Sequence, residues 1–379
     1  MNEQTDLTFM DEALRLAGRV QGRTWPNPAV GAVVVRGGGI VGRGATRPPG
    51  GAHAEIGALR EAGELARGAT LYVTLEPCCH TARTGPCADA VIEAGVARVV
   101  AAVEDPNPLV AGGGFAALRA AGIAVETGIR AEAGARLIAG FAHRMRTGLP
   151  LVTLKWAMTL DGKIATRTGS SQWITGPEAR REVHRMRDRT DAIAVGSGTI
   201  RVDDPLLTTR LEEGDAGEGG PHCPLRVVLD RSGSVPFSSK LLDRETPGDA
   251  RVIAGPGASA GWRDGLAARG VAVTVVEAEG DAWLPAALRV IGEWGVNELL
   301  VEGGGRFAGG LLDAGLAGRV AAFIAPKLAG GEAAPSPLAG LGVAEMGSAW
   351  RVEPERTMWF GPDLLVEGRV VSGEGSADV

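Results

Sequence analysis

The chain has 379 residues, 45% of them hydrophobic and 22% charged, with a formal net charge of −6. That length predicts two domains, each large enough for a core of its own. The acidic balance argues against extended nucleic-acid binding, which needs a basic stripe. Four cysteines make no disulfide framework, and no run of apolar residues is long enough for a membrane span. The first nine residues carry acidic side chains without a basic, apolar leader, so a signal peptide is not expected and a cytoplasmic location is.

In chain order, helical periodicity over Thr8–Arg19 precedes Pro26-Asn27-Pro28 and a strand at Ala29–Val35, with a second strand at Ile40–Gly44. His53 and Glu55 then open the amphipathic stretch Ala54–Arg67. Leu71–Leu75 reads as a strand running into Pro77-Cys78-Cys79, and Cys87 begins a helix over Ala88–Ala94. Strands at Val96–Val103 and Ile123–Thr127, with a helix at Phe115–Ala121, complete an α/β layered domain with helices on both faces of one sheet. A further helical pattern, Arg130–Arg146, is broken by Gly148-Leu149-Pro150, which sets the expected domains at 1–148 and 149–379.

His53, Cys78 and Cys87 supply one imidazole and two thiols, the donor set of a zinc site that keeps a fourth position open. Bound zinc lowers the pKa of a water in that position toward neutrality. A carboxylate that does not bind the metal, Glu55, is then placed to carry protons to a leaving amine. H-x-E followed by P-C and a further Cys is the signature of a zinc deaminase acting on a nucleobase-like ring. H-x-E alone carries almost no information, and paired cysteines are commonly small buried hydrophobes. Order, spacing and the strand–helix context give the combination its weight. The general signature closes with C-x-x-C, whereas here the next candidate after Cys78 is nine positions on. Cys79 is adjacent to Cys78 and reads as a packed thiol, because one backbone rarely delivers two neighbouring thiols to one metal. The longer spacing leaves a loop with His80 and Arg83 beside the metal to shape a substrate pocket.

The second half opens with Leu151–Ala165, an apolar strand ending at Asp161-Gly162, flanked by Lys155 and Lys163. These are two of only four lysines in the chain, so their joint placement draws attention; each alone is as readily a solvated strand end. A helix over 178–189 and a strand at Asp191–Val195 run into Gly196-Ser197-Gly198-Thr199, which has the outline of a phosphate cradle. Residues 211–221 read as a surface loop. A second strand, glycine turn and helix occupies Glu298–Gly309 and satisfies G-x-G-x-x-A. It sits late in its domain, however, and lacks the acidic residue about twenty positions on that a Rossmann site uses for the ribose. The claim that stands is that two glycine-rich turns suit a pyrophosphate-bearing ligand.

P-C-C-H-T-A-R-T-G-P-C-A-D-A and the upstream Pro26-Asn27-Pro28-Ala-Val-Gly resemble the deaminase half of the bifunctional riboflavin-biosynthesis deaminase-reductase family. L-K-W-A-M-T-L-D-G-K-I-A, S-Q-W-I-T, D-D-P-L-L-T-T-R, L-L-V-E-G-G-G and I-A-P-K-L-A-G-G resemble its reductase half, in the same order along nearly the whole chain. The resemblance implies a cytidine-deaminase-like three-layer α/β/α domain followed by a dihydrofolate-reductase-like α/β domain, one zinc and NADPH. It implies ring contact at Asn27, with His80 and Arg83 on the substrate side, zinc on His53, Cys78 and Cys87, and proton transfer by Glu55. In the second half it implies cofactor contacts at Ala157, Trp173, Thr199, Asp203, Gly304, Gly305, Arg306, Phe307, Ala308, Gly309 and Gly310. Substrate contacts are implied at Ser171, Arg187, Leu207, Arg210 and Glu302, with Lys155 orienting the sugar. Arg187 and Arg210 also suit a ribose phosphate chemically. Arg231 stands where the family has serine, which puts that cofactor contact in doubt. Trp173 and Leu207 would pack as apolar bodies with or without a ligand.

The expected activity is hydrolytic deamination of a diaminopyrimidinone ribosyl phosphate, then reduction of its ribosyl group to ribityl, with small-molecule partners only and a homo-oligomeric state. Two rivals are a nucleic-acid editing deaminase and a reductase with a non-catalytic zinc domain. The acidic balance and the second half oppose the first, and the complete His53, Glu55, Cys78 and Cys87 set opposes the second. For residues 150–372 alone, a folate-type reductase is a further alternative.

Overall fold

The computed structural model describes residues 3–79, 85–108 and 110–373. Its contacts divide the chain into two compact units: Met1–Leu149 with Ala216–Gly220 and Trp294–Asn297, and Pro150–Asp215 with Pro221–Glu293 and Glu298–Val379. Among the described residues no helix is long and apolar enough to cross a membrane.

The first unit contains α1 (Glu3–Gly18), β1 (Gly31–Arg36), β2 (Gly39–Ala45), α2 (Ala54–Ala62), β3 (Thr70–Leu75), α3 (Cys87–Glu93), β4 (Arg98–Val103), α4 (Gly113–Ala120), β5 (Ala124–Thr127), α5 (Ala131–Leu137) and α6 (Ala139–Thr147). Its five strands lie in the order β2-β1-β3-β4-β5, with β1 antiparallel to both neighbours and β3, β4 and β5 parallel. Side chains alternate across a strand, so each face has its own core. Val33, Val35, Tyr72, Val100 and Ala102 pack with Phe9, Met10, Ala13 and Leu16 of α1. Ala32, Val34, Leu71, Val73, Val99 and Ala101 pack with α2, α3 and α4 through Ala54, Ala58, Val91, Phe115 and Leu118. Full burial of each large apolar side chain contributes roughly 1.5–3 kcal/mol. This is the three-layer arrangement expected.

Two expected helices are interrupted. The 54–67 stretch becomes α2 and a short 3-10 turn, Gly63–Ala66, because Gly63 turns to φ 51°, a conformation glycine adopts without a Cβ clash. The 130–146 pattern divides at Ile138 (φ −104°, ψ 12°) into α5 and α6. Glycine also fixes where α2 lies. A Cβ at Gly42 or Gly44 would stand 2.2 Å from the Ala58 carbonyl oxygen or 2.0 Å from that of Ala54. Only a bare backbone at these positions lets α2 rest on β2, and that contact places the residues at the start of α2.

The second unit contains β6 (Leu151–Thr159), α7 (Pro177–Arg189), β7 (Ala192–Gly196), α8 (Ser197–Asp203), β8 (Leu225–Asp230), β9 (Ala250–Ala254), α9 (Ala260–Ala268), β10 (Ala272–Val275), α10 (Trp283–Glu293), β11 (Glu298–Val301), α11 (Gly305–Asp313), β12 (Arg319–Ala325), β13 (Arg351–Phe360) and β14 (Asp363–Val371). One nine-stranded sheet runs β10-β9-β8-β7-β11-β6-β12-β14-β13. From β10 to β12 the strands are parallel, and β14 and β13 are added antiparallel. The central strands are buried nearly throughout, as a sheet covered on both faces requires. Both glycine turns, after β7 and after β11, fall at the carboxyl ends of adjacent parallel strands, where open α/β sheets bind ligands.

Candidate active sites

In the first unit, His53 is the residue before α2 and Glu55 lies in its first turn; Cys78 follows β3 and Cys87 is the first residue of α3. The three donors lie within 4.8 Å of one another. His53 Nδ1 stands 3.2 Å from Cys87 Sγ and 3.8 Å from Cys78 Sγ. Around a tetrahedral zinc with ordinary bond lengths, nitrogen and sulfur are about 3.5 Å apart, so these residues fit that ion. The Cys87 backbone N–H donates to Cys78 Sγ at 3.4 Å, and its Ala88 neighbour donates to the Cys78 carbonyl. The loop between the cysteines is thereby closed at its base. Hydrogen bonding with Cys87 holds the Cys78 thiol down at about 4, while the same contact and burial push Cys87 up. Cys79 turns away, its Sγ 3.8 Å from the Val110 carbonyl.

Glu55 is buried, and desolvation pushes its carboxyl up to about 7. It lines a cavity of ≈ 350 Å³ together with Asn27, His53 and Cys78. Pro26, Pro28 and Phe141 give that cavity apolar walls, and Thr46, Glu76, Asp105 and Asn107 add polar groups. The sequence reading missed the last four. Glu76 accepts the backbone N–H groups of Asp105, Gly112 and Phe115 at 3.1, 3.0 and 3.1 Å, so it fixes the loop that carries Asp105 and Asn107. Its signal was only its place next to Pro77-Cys78. His80 and Arg83 lie outside the described residues.

In the second unit, Lys155, Ala157, Ser171, Trp173, Arg187, Asp203, Leu207, Arg210 and Glu302 line a cavity of ≈ 470 Å³. Glu302, just past β11, is the charged centre. Arg187 Nε and Nη2 donate to its two oxygens at 2.7 and 2.9 Å, and Lys155 Nζ donates at 3.3 Å. Burial alone would raise this carboxyl, yet Arg187 and Lys155 hold it below the carboxylate range. Arg187 also donates to the Thr208 carbonyl at 2.9 Å, so most of its fork is engaged by the protein. Arg210 is exposed, and among the described residues its hydrogen bonds go to His184. Leu207, with its side chain buried, takes φ 56°, so a non-glycine residue holds a left-handed turn at the cavity wall.

Arg180, His184, Asp204 and Lys240 also line this cavity and were not foreseen. Arg180, His184 and Arg187 are spaced by four and three along α7, so they share one helix face, a pattern the sequence did contain. The Arg180 guanidinium lies 4.5 Å from the Trp173 ring centre. Burial, with Arg187 and Arg210 nearby, lowers His184 to about 4.

Thr199 and residues 304–310 do not line that cavity. Thr199 Oγ1 accepts the Gly304 N–H at 3.0 Å and so joins the two glycine turns. Gly305 and Gly309 are small for another reason: a Cβ would stand 2.5 Å from the Ser336 carbonyl oxygen and 1.4 Å from that of Ala339. The Ala339 N–H donates to the Gly305 carbonyl at 2.9 Å. A segment of this chain therefore lies across the face that these two glycines leave bare. Arg306 is exposed, and among the described residues no carboxylate pairs with it. A phosphate-bearing dinucleotide fits an uncommitted cation beside two half-buried glycine turns.

Residues 150–366 match the RibD C-terminal domain, and residues 3–103 match the cytidine and deoxycytidylate deaminase zinc-binding region. The chain is 41% identical over 373 residues to the riboflavin biosynthesis protein RibD of Bacillus amyloliquefaciens, covering 98% of each. It is similar to the solved structure of Acinetobacter baumannii RibD (TM-score 0.87, 36% identity, 98% of this chain and 100% of that one). A diaminohydroxyphosphoribosylaminopyrimidine deaminase/5-amino-6-(5-phosphoribosylamino)uracil reductase from Thermotoga maritima is also similar (TM-score 0.82, 35% identity, 97% and 99%).

Proposed function

The chain belongs to the RibD family, and from that membership and the two sites we propose how it performs two successive reactions of riboflavin biosynthesis. It is a bifunctional enzyme that uses zinc and NADPH. The first reaction is hydrolytic deamination of 2,5-diamino-6-(5-phosphoribosylamino)pyrimidin-4-one. The second is reduction of the ribosyl group of 5-amino-6-(5-phosphoribosylamino)uracil to ribityl. We assign the deaminase to residues 1–148 and the reductase to 149–379.

His53, Cys78 and Cys87 would hold the zinc, which supplies Lewis acidity that brings the pKa of a water toward 7. Glu55 takes a proton from the attacking water and returns it to the departing amine. Burial, which raises this carboxyl, keeps it able to hold a proton between the two transfers. Asn27 offers an amide to the pyrimidine edge, and Phe141 with Pro26 and Pro28 limits water at the ring. His80 and Arg83 are proposed at the substrate's outer side.

In the second site NADPH supplies the hydride, with Ala157, Trp173, Thr199, Asp203 and residues 304–310 as its proposed contacts. Lys155, held by Glu302, is placed to give the proton to the ring oxygen of the ribosyl group as its bond to C1′ breaks and that carbon takes the hydride. Ser171, Leu207, Arg187 and Arg210 surround the ribosyl phosphate. Arg210 is the better phosphate ligand of the two arginines, because Arg187 is already committed to Glu302. The observation that carries the whole reading is the convergence of one imidazole and two thiols beside a buried carboxyl. Its test is Glu55→Gln in the full chain. Zinc content should be unchanged while ammonia release falls by about 10²–10⁴-fold; a fully active variant would remove Glu55 from the mechanism.

We further propose a homo-oligomer in the cytoplasm. β13 is an edge strand with Val352, Met358 and Trp359 exposed, a surface that invites pairing with a second copy. The cysteines are all free, as a reducing compartment would leave them. Sedimentation as a monomer at micromolar concentration would exclude the oligomer.

A further inference from the structure

Asn27, the proposed ring contact, stands on the stretch between α1 and β1, with no helix or strand of its own to hold it. Its backbone closes a turn. The Asn27 N–H donates to the Thr24 carbonyl at 3.0 Å, and the Thr24 hydroxyl donates to the Asn27 carbonyl at 3.0 Å. Both bonds run between Thr24 and Asn27, so they shape the turn without fixing where it points.

The peptide group before Asn27 is held from farther away. Arg144, on α6, donates through Nη2 to the Pro26 carbonyl at 3.0 Å, and Asn297 donates through Nδ2 to the same oxygen at 3.4 Å. Arg144 Nε also donates to Asn297 Oδ1 at 2.8 Å, which closes a triangle of three groups. A guanidinium has donors only, so the Asn297 amide must turn its oxygen to Arg144 and its NH₂ to Pro26. Asn297 is only 5% exposed, and a buried amide that loses a partner is left unsatisfied.

Trp294–Asn297 lie between α10 and β11 in the sequence, yet by their contacts they belong to the first unit. Gly295 permits this. It takes φ 91°, and a Cβ there would stand 2.6 Å from Pro26 Cβ, so only a bare backbone lets the segment rest on Pro26. The Arg144 guanidinium also lies 6.0 Å from the centre of the Phe141 ring, an apolar wall of the cavity. A peptide group is planar, so holding the Pro26 carbonyl also holds the nitrogen and Cα of Asn27. With the two Thr24 bonds, the main chain on both sides of Asn27 is then determined.

We propose that Asn297 and Arg144 are positioning residues of the deaminase, holding the Pro26 carbonyl so that the Asn27 amide meets the pyrimidine edge. The inference rests on the reading of Asn27 as a ring contact. Neither Asn297 nor Arg144 lines the cavity, so their effect reaches the substrate through Asn27.

The test follows ammonia release from the diaminopyrimidinone ribosyl phosphate by the full-length, zinc-replete chain, together with zinc content and NADPH oxidation on the deaminated substrate. Asn297→Ala should raise KM for ammonia release about fivefold and leave kcat within about twofold, because a ring contact weakened in ground and transition states alike is lost from binding. Zinc content and NADPH oxidation should stay at the parental level. Arg144→Ala, which removes two bonds of the triangle, should raise KM about tenfold, and Arg144→Lys, with one donor left for Pro26, should recover part of that. The Asn27→Ala/Asn297→Ala double variant should be no worse than Asn27→Ala alone, because Asn297 acts through Asn27. Losses that multiply in the double variant, a fall in zinc content, or an unchanged KM in Asn297→Ala would overturn the proposal and leave the deaminase reading intact. A parental KM in Asn27→Ala would overturn the proposal and the ring contact together.

Discussion

The two sites are charged constellations built on opposite principles. In the first unit, one imidazole and two thiols converge as the donor set that a metal cation completes. In the second, Lys155 and Arg187 hold Glu302 within the protein, and the two cations leave the cavity an excess of positive charge before any ligand arrives. The first site's chemistry should therefore follow metal supply, and the second's should be written into the folding energy of its own unit. Neutralising a buried carboxylate with two cations also fixes their side chains, which is the pre-organisation a reduction needs.

The largest effect that would sharpen this contrast is expected from Glu302→Gln. Removing one member of a buried ionic group leaves its partners uncompensated, a loss of about 3–5 kcal/mol. Denaturant unfolding of the second unit should register that loss, whereas an unshifted transition would show that Glu302 is not the keystone of its cavity. A smaller effect tests the positive character of the same cavity. His184 has a folded pKa of about 4, below its ordinary value of 6.5, so the unfolded chain binds the proton first. Between those two pH values the unfolded state holds more protons, and stability falls as pH drops through the window. His184→Gln should flatten that slope, whatever constant offset the lost contact with Arg210 adds at every pH. An unchanged slope would place the acid sensitivity elsewhere.

The first site was far more legible in sequence than the second. His53, Glu55, Cys78 and Cys87 are drawn from short segments at a strand end and two helix starts, so local pattern alone announces them. Arg187 and Glu302 are 115 residues apart, and nothing local says that one will grip the other. Their roles entered through family resemblance, and the resemblance did not foretell that Arg187 would be spent on Glu302. The glycines after β11 teach the same lesson. A G-x-G-x-x-A pattern suggested close approach of a ligand, but Gly305 and Gly309 are bare because residues 336–339 cross them. Periodicity found most elements of the first unit, yet could not show that Gly63 and Ile138 end helices whose apolar spacing continues. The antiparallel β13 and β14 were missed altogether; β13 is exposed over most of its length and lacks the apolar alternation that marks a half-buried strand.

The central claim, two independent sites of which only one depends on a metal, is tested most directly by stripping zinc from the full-length protein. Ammonia release from the diaminopyrimidinone ribosyl phosphate and NADPH oxidation with the deaminated uracil substrate would then be followed in parallel. The account predicts that ammonia release is lost and returns with added zinc, while NADPH oxidation continues throughout. Loss of both activities on stripping, or of neither, would contradict it.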